Sequence, residues 1–232
     1  MTLARRCILE LIGTYFLALV IATAAVGGMA LNLAPLAVAG ILVAMIYMAG
    51  PHTGAHFNPV VSVAFWVRGT FPADEIIPYV LAQCIGAVLA TLTQFVLIEN
   101  AVPQEQLALG ATLANTALGE NGGRIADWMQ LGVGEIVFTF ALVMVILHVA
   151  SASKQAGNQY FGLAIGFMVM AGAFAVGPVS GAVFNPAVLL GLWILGATSA
   201  LHALVILMAT FVGGLLAAIT FRALHQVDTE QT

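Results

Sequence analysis

Two stretches of this chain are nearly identical, and each interrupts an otherwise very apolar sequence. They are Pro51-His-Thr-Gly-Ala-His-Phe-Asn-Pro-Val-Val61 and Pro178-Val-Ser-Gly-Ala-Val-Phe-Asn-Pro-Ala-Val188, about 127 residues apart. Such self-similarity indicates an internal repeat. Glycine and Asn-Pro segments are costly in apolar surroundings because they leave backbone N–H and C=O groups without helical partners. The repeat therefore indicates that the interruption has the same structural or functional role in both halves of the chain.

The composition places most of the surface in a lipid bilayer. Of the 232 residues, 62% are hydrophobic and 7% are charged, whereas soluble domains have about 25% charged residues. The formal net charge of −4 is too small and scattered to indicate a nucleic-acid partner. Cys7 and Cys84 lie in apolar segments, and we interpret them as buried small hydrophobic residues rather than a disulfide or metal pair. No cofactor, metal-ligand cluster or nucleophile motif is predicted.

Six segments are apolar and long enough to cross the roughly 30 Å hydrocarbon layer. We predict these spans at about 7–27, 35–50, 78–98, 131–150, 159–176 and 200–222. The first follows Arg5-Arg6, as a signal peptide would, but it is as long as a span, contains Glu10 and has no convincing cleavage site. Pro35 and Pro78 are predicted in first helical turns.

The longest polar stretch, residues 99–128, is predicted to be an extracellular linker. It would join two halves of one membrane domain, at approximately 1–100 and 128–232 of the full 1–232 chain.

Two apolar pieces, Asn58–Val67 and Asn185–Leu195, are too short to span the membrane. About ten residues make a helix of roughly 15 Å, half a bilayer. Asparagine is a good N-cap, and proline suits the first helical position. We therefore predict two re-entrant loops that each return as a half helix beginning at Asn-Pro. The fold class is all-α, with six transmembrane helices plus two re-entrant half helices.

The repeat extends to Glu10-Leu-Ile-Gly-Thr-Tyr-Phe16 and Glu135-Ile-Val-Phe-Thr-Phe140. Each half has three crossings, an odd number, so the second half enters from the opposite face. This predicts an inverted repeat with an in-plane pseudo-two-fold axis. With the N-terminus cytoplasmic, only Arg124 is outside, and the basic residues that lie inside are Arg5, Arg6, Arg68, Lys154 and Arg222.

In this topology the half-helix ends at Asn58 and Asn185 meet near the bilayer midplane. Each end has free N–H groups and about half a positive charge, so the pair repels cations and offers donors to a neutral solute. We predict that the Asn amides add donors in the same space. Gly54-Ala55 and Gly181-Ala182 let the backbone turn tightly before each half helix.

The doubled Gly-Ala-x-Phe-Asn-Pro motif, the paired Glu10 and Glu135, and Gly177-Pro178-Val-Ser-Gly181 resemble the aquaporin and aquaglyceroporin (major intrinsic protein) family. The resemblance covers essentially the whole chain. It implies a passive channel for small neutral solutes, with a pore in each protomer of a homotetramer in the lipid bilayer. An enzyme is not expected.

The chain departs from the family after the second motif, where it reads Asn185-Pro-Ala-Val188 instead of Asn-Pro-Ala-Arg. By resemblance, the other selectivity-filter positions are Val38, Ala173 and Ala182. Water-selective members have a bulky aromatic residue, a His and the Arg there. We therefore expect a wide, apolar, uncharged filter that passes solutes at least as large as glycerol.

A Val at position 188 also resembles a bacterial aquaglyceroporin branch associated with arsenic resistance. That likeness implies flux of arsenous acid and methylated arsenicals, with urea a further candidate solute. The short loops and termini suggest a multi-pass protein of the bacterial plasma membrane.

Three residues have two interpretations each. Glu10 and Glu135 either relay protons or accept backbone hydrogen bonds that hold the re-entrant loops, and we favour loop support. His56 is a candidate for the pore mouth, where it could gate, or it is a packed, hydrogen-bonded loop residue.

Other functional classes stay open at this point. They are a water-selective channel of the same family, a secondary transporter, an intramembrane enzyme and a structural member of the family. A transporter would also use an inverted repeat and broken helices, but this sequence has no central charged site to couple ions.

Overall fold

The computed structural model describes residues 1–98 and 125–225, and these residues form helices and connecting loops without strands. The six long helices are α1 (Leu3–Val20), α2 (Ala34–Thr53), α4 (Ala73–Ile98), α5 (Ile125–Ser151), α6 (Phe161–Ser180) and α8 (Ala200–His225). Two short helices, α3 (Pro59–Arg68) and α7 (Pro186–Ile194), follow the repeated stretches. Among the described residues, six helical segments are long and apolar enough to cross a membrane, which confirms the predicted fold class.

Each long helix extends beyond its predicted span at one end or at both. A π-helical segment, Ile21–Val26, continues α1, and a 3-10 turn, Leu31–Leu33, precedes α2. Helix α5 begins at Ile125, so the end of the predicted 99–128 linker is helical. The rest of that linker, together with Arg124, lies outside the described residues.

Two residue-level predictions were wrong. Pro78 lies inside α4 rather than in its first turn, because Asp74 and Glu75 begin the helix earlier with negative charge at its positive end. Cys7 and Cys84 are free thiols rather than a disulfide, as predicted, but they are only partly buried where they pack against the hydrophobic core. Pro35 is in the first turn of α2, as predicted.

Glycines allow two helix pairs to pack at backbone contact. A Cβ added to Gly86 in α4 would lie 2.4 Å from the Leu11 carbonyl oxygen in α1. One added to Gly213 in α8 would lie 2.4 Å from the Ile136 carbonyl oxygen in α5. Leu11 follows Glu10 and Ile136 follows Glu135. The two close approaches therefore fix the two buried carboxylates at corresponding positions.

The outer surface is apolar along the helices, as a lipid-facing surface must be. On α4 the exposed residues recur every three or four positions, so they form one stripe along the helix: Ile77, Leu81, Ile85, Leu89, Leu92 and Val96.

We expect Gly86→Ala to destabilise the fold by roughly 1–3 kcal/mol, because the added methyl group forces α1 and α4 apart. Thermal unfolding of the purified protein in detergent measures the effect. The matched control is Gly40→Ala, where an added Cβ has nothing within 4 Å. Equal unfolding temperatures for the two variants would contradict the packing argument.

Candidate functional site: the junction of the half helices

Each half helix begins at an asparagine with extended backbone. The Asn58 side-chain Oδ1 accepts a hydrogen bond from the Val60 N–H at 3.0 Å, and Asn185 Oδ1 accepts one from the Ala187 N–H at 2.9 Å. Proline occupies the first helical turn in both cases. Both asparagines are therefore N-caps, as their sequence context predicts.

The two asparagines also join the two loops to each other. Asn58 Nδ2 donates to the Phe184 carbonyl oxygen at 2.8 Å, and Asn185 Nδ2 donates to the Phe57 carbonyl oxygen at 2.8 Å. A carboxamide nitrogen has two hydrogens, so this bond leaves one hydrogen on each side chain for another partner. The sequence-based prediction was that both amides offer donors in the lumen. It did not include the hydrogen bonds by which they join the two loops.

The loops that precede the half helices have left-handed backbone at several positions. Gly54 has φ +84° and Gly181 has φ +87°, which glycine adopts without steric cost. Non-glycine residues share this region: Ala55 at +49°, Ala182 at +50°, Phe57 at +48° and Phe184 at +49°. Each such residue costs on the order of 1–3 kcal/mol, so the surrounding contacts must hold the loops in shape.

Glu10 supplies those contacts to the first loop. Its Oε1 accepts hydrogen bonds from the Thr53 hydroxyl at 2.8 Å and the His56 N–H at 2.9 Å. Its Oε2 accepts from the Phe57 N–H at 2.7 Å and the Gln83 amide at 2.9 Å. The carboxylate is completely buried. Gln83 was not among the residues that the sequence singled out, since a lone Gln in an apolar helix gives no distinctive signal.

Glu135 makes the corresponding contacts with the second loop and is also completely buried. It accepts hydrogen bonds from the Ser180 hydroxyl at 2.8 Å, the Val183 N–H at 3.0 Å and the Phe184 N–H at 2.9 Å. Thr210 lies 127 residues after Gln83, which is the corresponding position in the second half of the repeat. Its hydroxyl donates to the Leu207 carbonyl oxygen within its own helix, whereas Gln83 donates to a glutamate. These contacts are the ones that the loop-support interpretation of the two glutamates requires.

His56 is packed into the base of its loop. Its Nδ1 lies 3.0 Å from Ser62 Oγ, and its ring stacks on Phe65 with centroids 4.7 Å apart. The residue borders the cavity described next but is only 6% exposed. These contacts favour the packed, hydrogen-bonded interpretation over a gate.

A cavity of about 880 Å³ surrounds the junction of the half helices. Asn58 and Asn185 both line it, and so do the four predicted filter residues Val38, Ala173, Ala182 and Val188. Its polar lining residues near the ends of the bundle include Asn32 and Thr198 at one end and Ser151, Gln155 and Asn158 at the other. Among the described residues that line the cavity, none is Asp, Glu, Lys or Arg.

Six spanning helices with two half helices joined inside a cavity define a membrane fold of the aquaporin type. The X-ray structure of the aquaglyceroporin from Plasmodium falciparum has this fold, with a TM-score of 0.75, 22% identity and coverage of 95% of this chain and 96% of that one. At this identity the likeness concerns the fold alone.

The chain belongs to the family described as Major intrinsic protein, whose pattern matches residues 1–221. It is 34% identical over 192 residues to the "Probable aquaporin NIP-type" of Nicotiana alata, covering 79% of this chain and 64% of that protein. It is 31% identical over 210 residues to the "Probable aquaporin AqpM" of Archaeoglobus fulgidus, covering 81% of each. The chain thus spans less than two thirds of the length of the plant relatives. The family resemblance seen in the sequence is confirmed.

We expect Glu10→Gln to lower the folded yield and the unfolding temperature, because one acceptor oxygen becomes an N–H donor that faces other donors. An unsatisfied buried group costs about 1–3 kcal/mol. Size-exclusion chromatography and thermal unfolding measure the effect. The comparison variant is Asp74→Asn, where an exposed carboxylate loses only a helix-end charge interaction of about 0.3–1 kcal/mol. Normal folding of Glu10→Gln with loss of a pH-driven flux would favour the proton-relay interpretation instead.

Proposed function

We propose that the protein is a passive membrane channel for small uncharged solutes, with water and glycerol-like polyols among them. The observation that supports this most directly is the pair of half-helix N-termini, joined by reciprocal hydrogen bonds inside a cavity. Helix N-termini carry partial positive charge and hydrogen-bond donors, which favour neutral oxygen-bearing solutes and oppose cations. Asn58 and Asn185 are the proposed midplane donors.

The proposed selectivity filter consists of Val38, Ala173, Ala182 and Val188, which all line the same cavity. Four small or medium apolar side chains leave a wider and less polar opening than an arginine and an aromatic ring would. Urea, arsenous acid and methylated arsenicals are therefore further candidate solutes. Because the filter has no positive side chain, the exclusion of cations rests on the half-helix ends.

Two other functions fit the site less well. A water-selective channel would need a narrower, more polar constriction than these four side chains provide. A secondary transporter would need a charged site to couple ion movement, and the cavity lining is uncharged over the described residues. The family is one of channels rather than enzymes.

The proposed setting is the bacterial plasma membrane, with both termini cytoplasmic and the chain assembled as a homotetramer. The distribution of basic residues supports this orientation, because Arg68 and Arg222 lie together at one end of the bundle, where Arg222 donates to the Val67 carbonyl oxygen. The inverted repeat, at approximately 1–100 and 128–232, is supported by the matching contacts of Glu10 and Glu135.

We expect Val188→Arg to reduce glycerol flux more than water flux, because the guanidinium narrows the opening and adds donors that hold water. Val188→Leu adds bulk without charge and serves as the matched control. Stopped-flow light scattering of proteoliposomes under water, glycerol, urea and arsenous-acid gradients measures the rates.

The outcomes separate the candidate functions. Glycerol flux in the unmodified protein, without saturation or a proton gradient, supports the channel with a wide filter. Water flux alone would indicate the water-selective alternative. Solute flux that requires a proton gradient would indicate a transporter, and the absence of all flux would indicate a structural role.

A further inference from the structure

We propose that His148 and His225 bind a divalent transition-metal ion such as Zn²⁺ between the ends of α5 and α8. His148 lies in the last turn of α5, and His225 is the last residue of α8. Their Nε2 atoms are 3.4 Å apart. Neither ring lines the cavity that surrounds the half-helix junction, so this site is separate from the proposed channel.

The distance between the two rings matches the distance expected between two imidazole ligands of one tetrahedral ion. A zinc–imidazole bond of about 2.1 Å and a tetrahedral angle place two ligating nitrogens about 3.4 Å apart. With the ring centre about 1.1 Å behind each nitrogen, the same geometry places the centroids about 5.2 Å apart. The observed distances are 3.4 Å between the nitrogens and 5.2 Å between the centroids. Without a metal ion, the two nitrogens are within the distance of a long hydrogen bond to each other.

The hydrogen bonding of His148 leaves the correct nitrogen for a metal. Its Nδ1 lies 2.7 Å from the Met144 carbonyl oxygen, which can only accept, so Nδ1 carries the hydrogen. In the neutral ring Nε2 then has the lone pair, and it is Nε2 that faces His225. Metal-binding histidines commonly donate their other ring N–H to a backbone carbonyl in this way, which fixes the ring.

The local electrostatics contain opposing contributions. Both histidines lie at helix C-termini, where partial negative charge attracts cations. The Arg68 guanidinium opposes this, since it lies 5.1 Å from the Phe221 ring, against which both imidazoles pack. Among the described residues, no group of three or more His, Cys, Asp or Glu side chains is placed to hold a metal. The pair would therefore supply two of the ligands of the ion.

The test is metal binding to the full chain in detergent or nanodiscs, after removal of any polyhistidine tag. Isothermal titration with Zn²⁺ gives the stoichiometry and affinity, and the visible absorption of Co²⁺ reports the coordination geometry. The variants are His148→Ala and His225→Ala, and the control is His52→Ala, an exposed histidine outside the pair. We expect one ion per chain, tetrahedral Co²⁺ absorption, and an affinity at least tenfold lower in each pair variant but unchanged in the control.

Equal affinity in His225→Ala and the unmodified chain would overturn the proposal, as would the absence of saturable binding. His225→Ala alone is decisive if His148→Ala fails to fold, because His225 is the last residue of α8, whereas His148 also bonds to the Met144 carbonyl oxygen within α5. Solute flux is not part of this test, so a failed metal site and a failed channel are distinguishable.

Discussion

The reciprocal hydrogen bonds between the tips of the two half helices are the interaction on which the rest of the structure depends. Breaking a helix in the middle of a bilayer exposes backbone groups that lipid cannot satisfy. Here each tip is capped by its own asparagine and tied to a carbonyl of the opposite loop. Neither half helix can therefore form its native end without the other, and the two short helices together take the place of a seventh crossing.

The buried glutamates follow from that constraint. A loop with left-handed alanine and phenylalanine residues is strained, and it presents N–H groups that have no helical acceptor. A carboxylate has enough lone pairs to accept several such donors at once. Burying a charge is costly unless it is fully hydrogen-bonded, and each glutamate receives three or four hydrogen bonds. The close approaches at Gly86 and Gly213 then fix the helices that carry these glutamates.

The sequence predicted the helices and the tips well, because repeat, hydropathy and capping signals are local. It failed at Pro78, where the acidic pair Asp74 and Glu75 moved the start of the helix. It also missed Gln83 and the pairing of His148 with His225. These are contacts between helices, and a lone polar residue in an apolar segment does not indicate its partner. The boundaries of the inverted repeat stay a prediction, since residues 99–124 lie outside the described part of the chain.

The same geometry explains how such a fold can change its selectivity without changing its architecture. The bonds that fix the tips involve Asn58, Asn185 and backbone carbonyls, whereas the four proposed filter side chains come from elsewhere. Val38 belongs to α2, Ala173 to α6, Ala182 to the second loop and Val188 to α7. None of these side chains takes part in the cross-loop bonds, and the polar group that Val188 contributes near the tip is its backbone N–H, 3.4 Å from Asn185 Oδ1. A different side chain at position 188 would therefore alter the size and charge of the opening while the junction below it kept its hydrogen bonds.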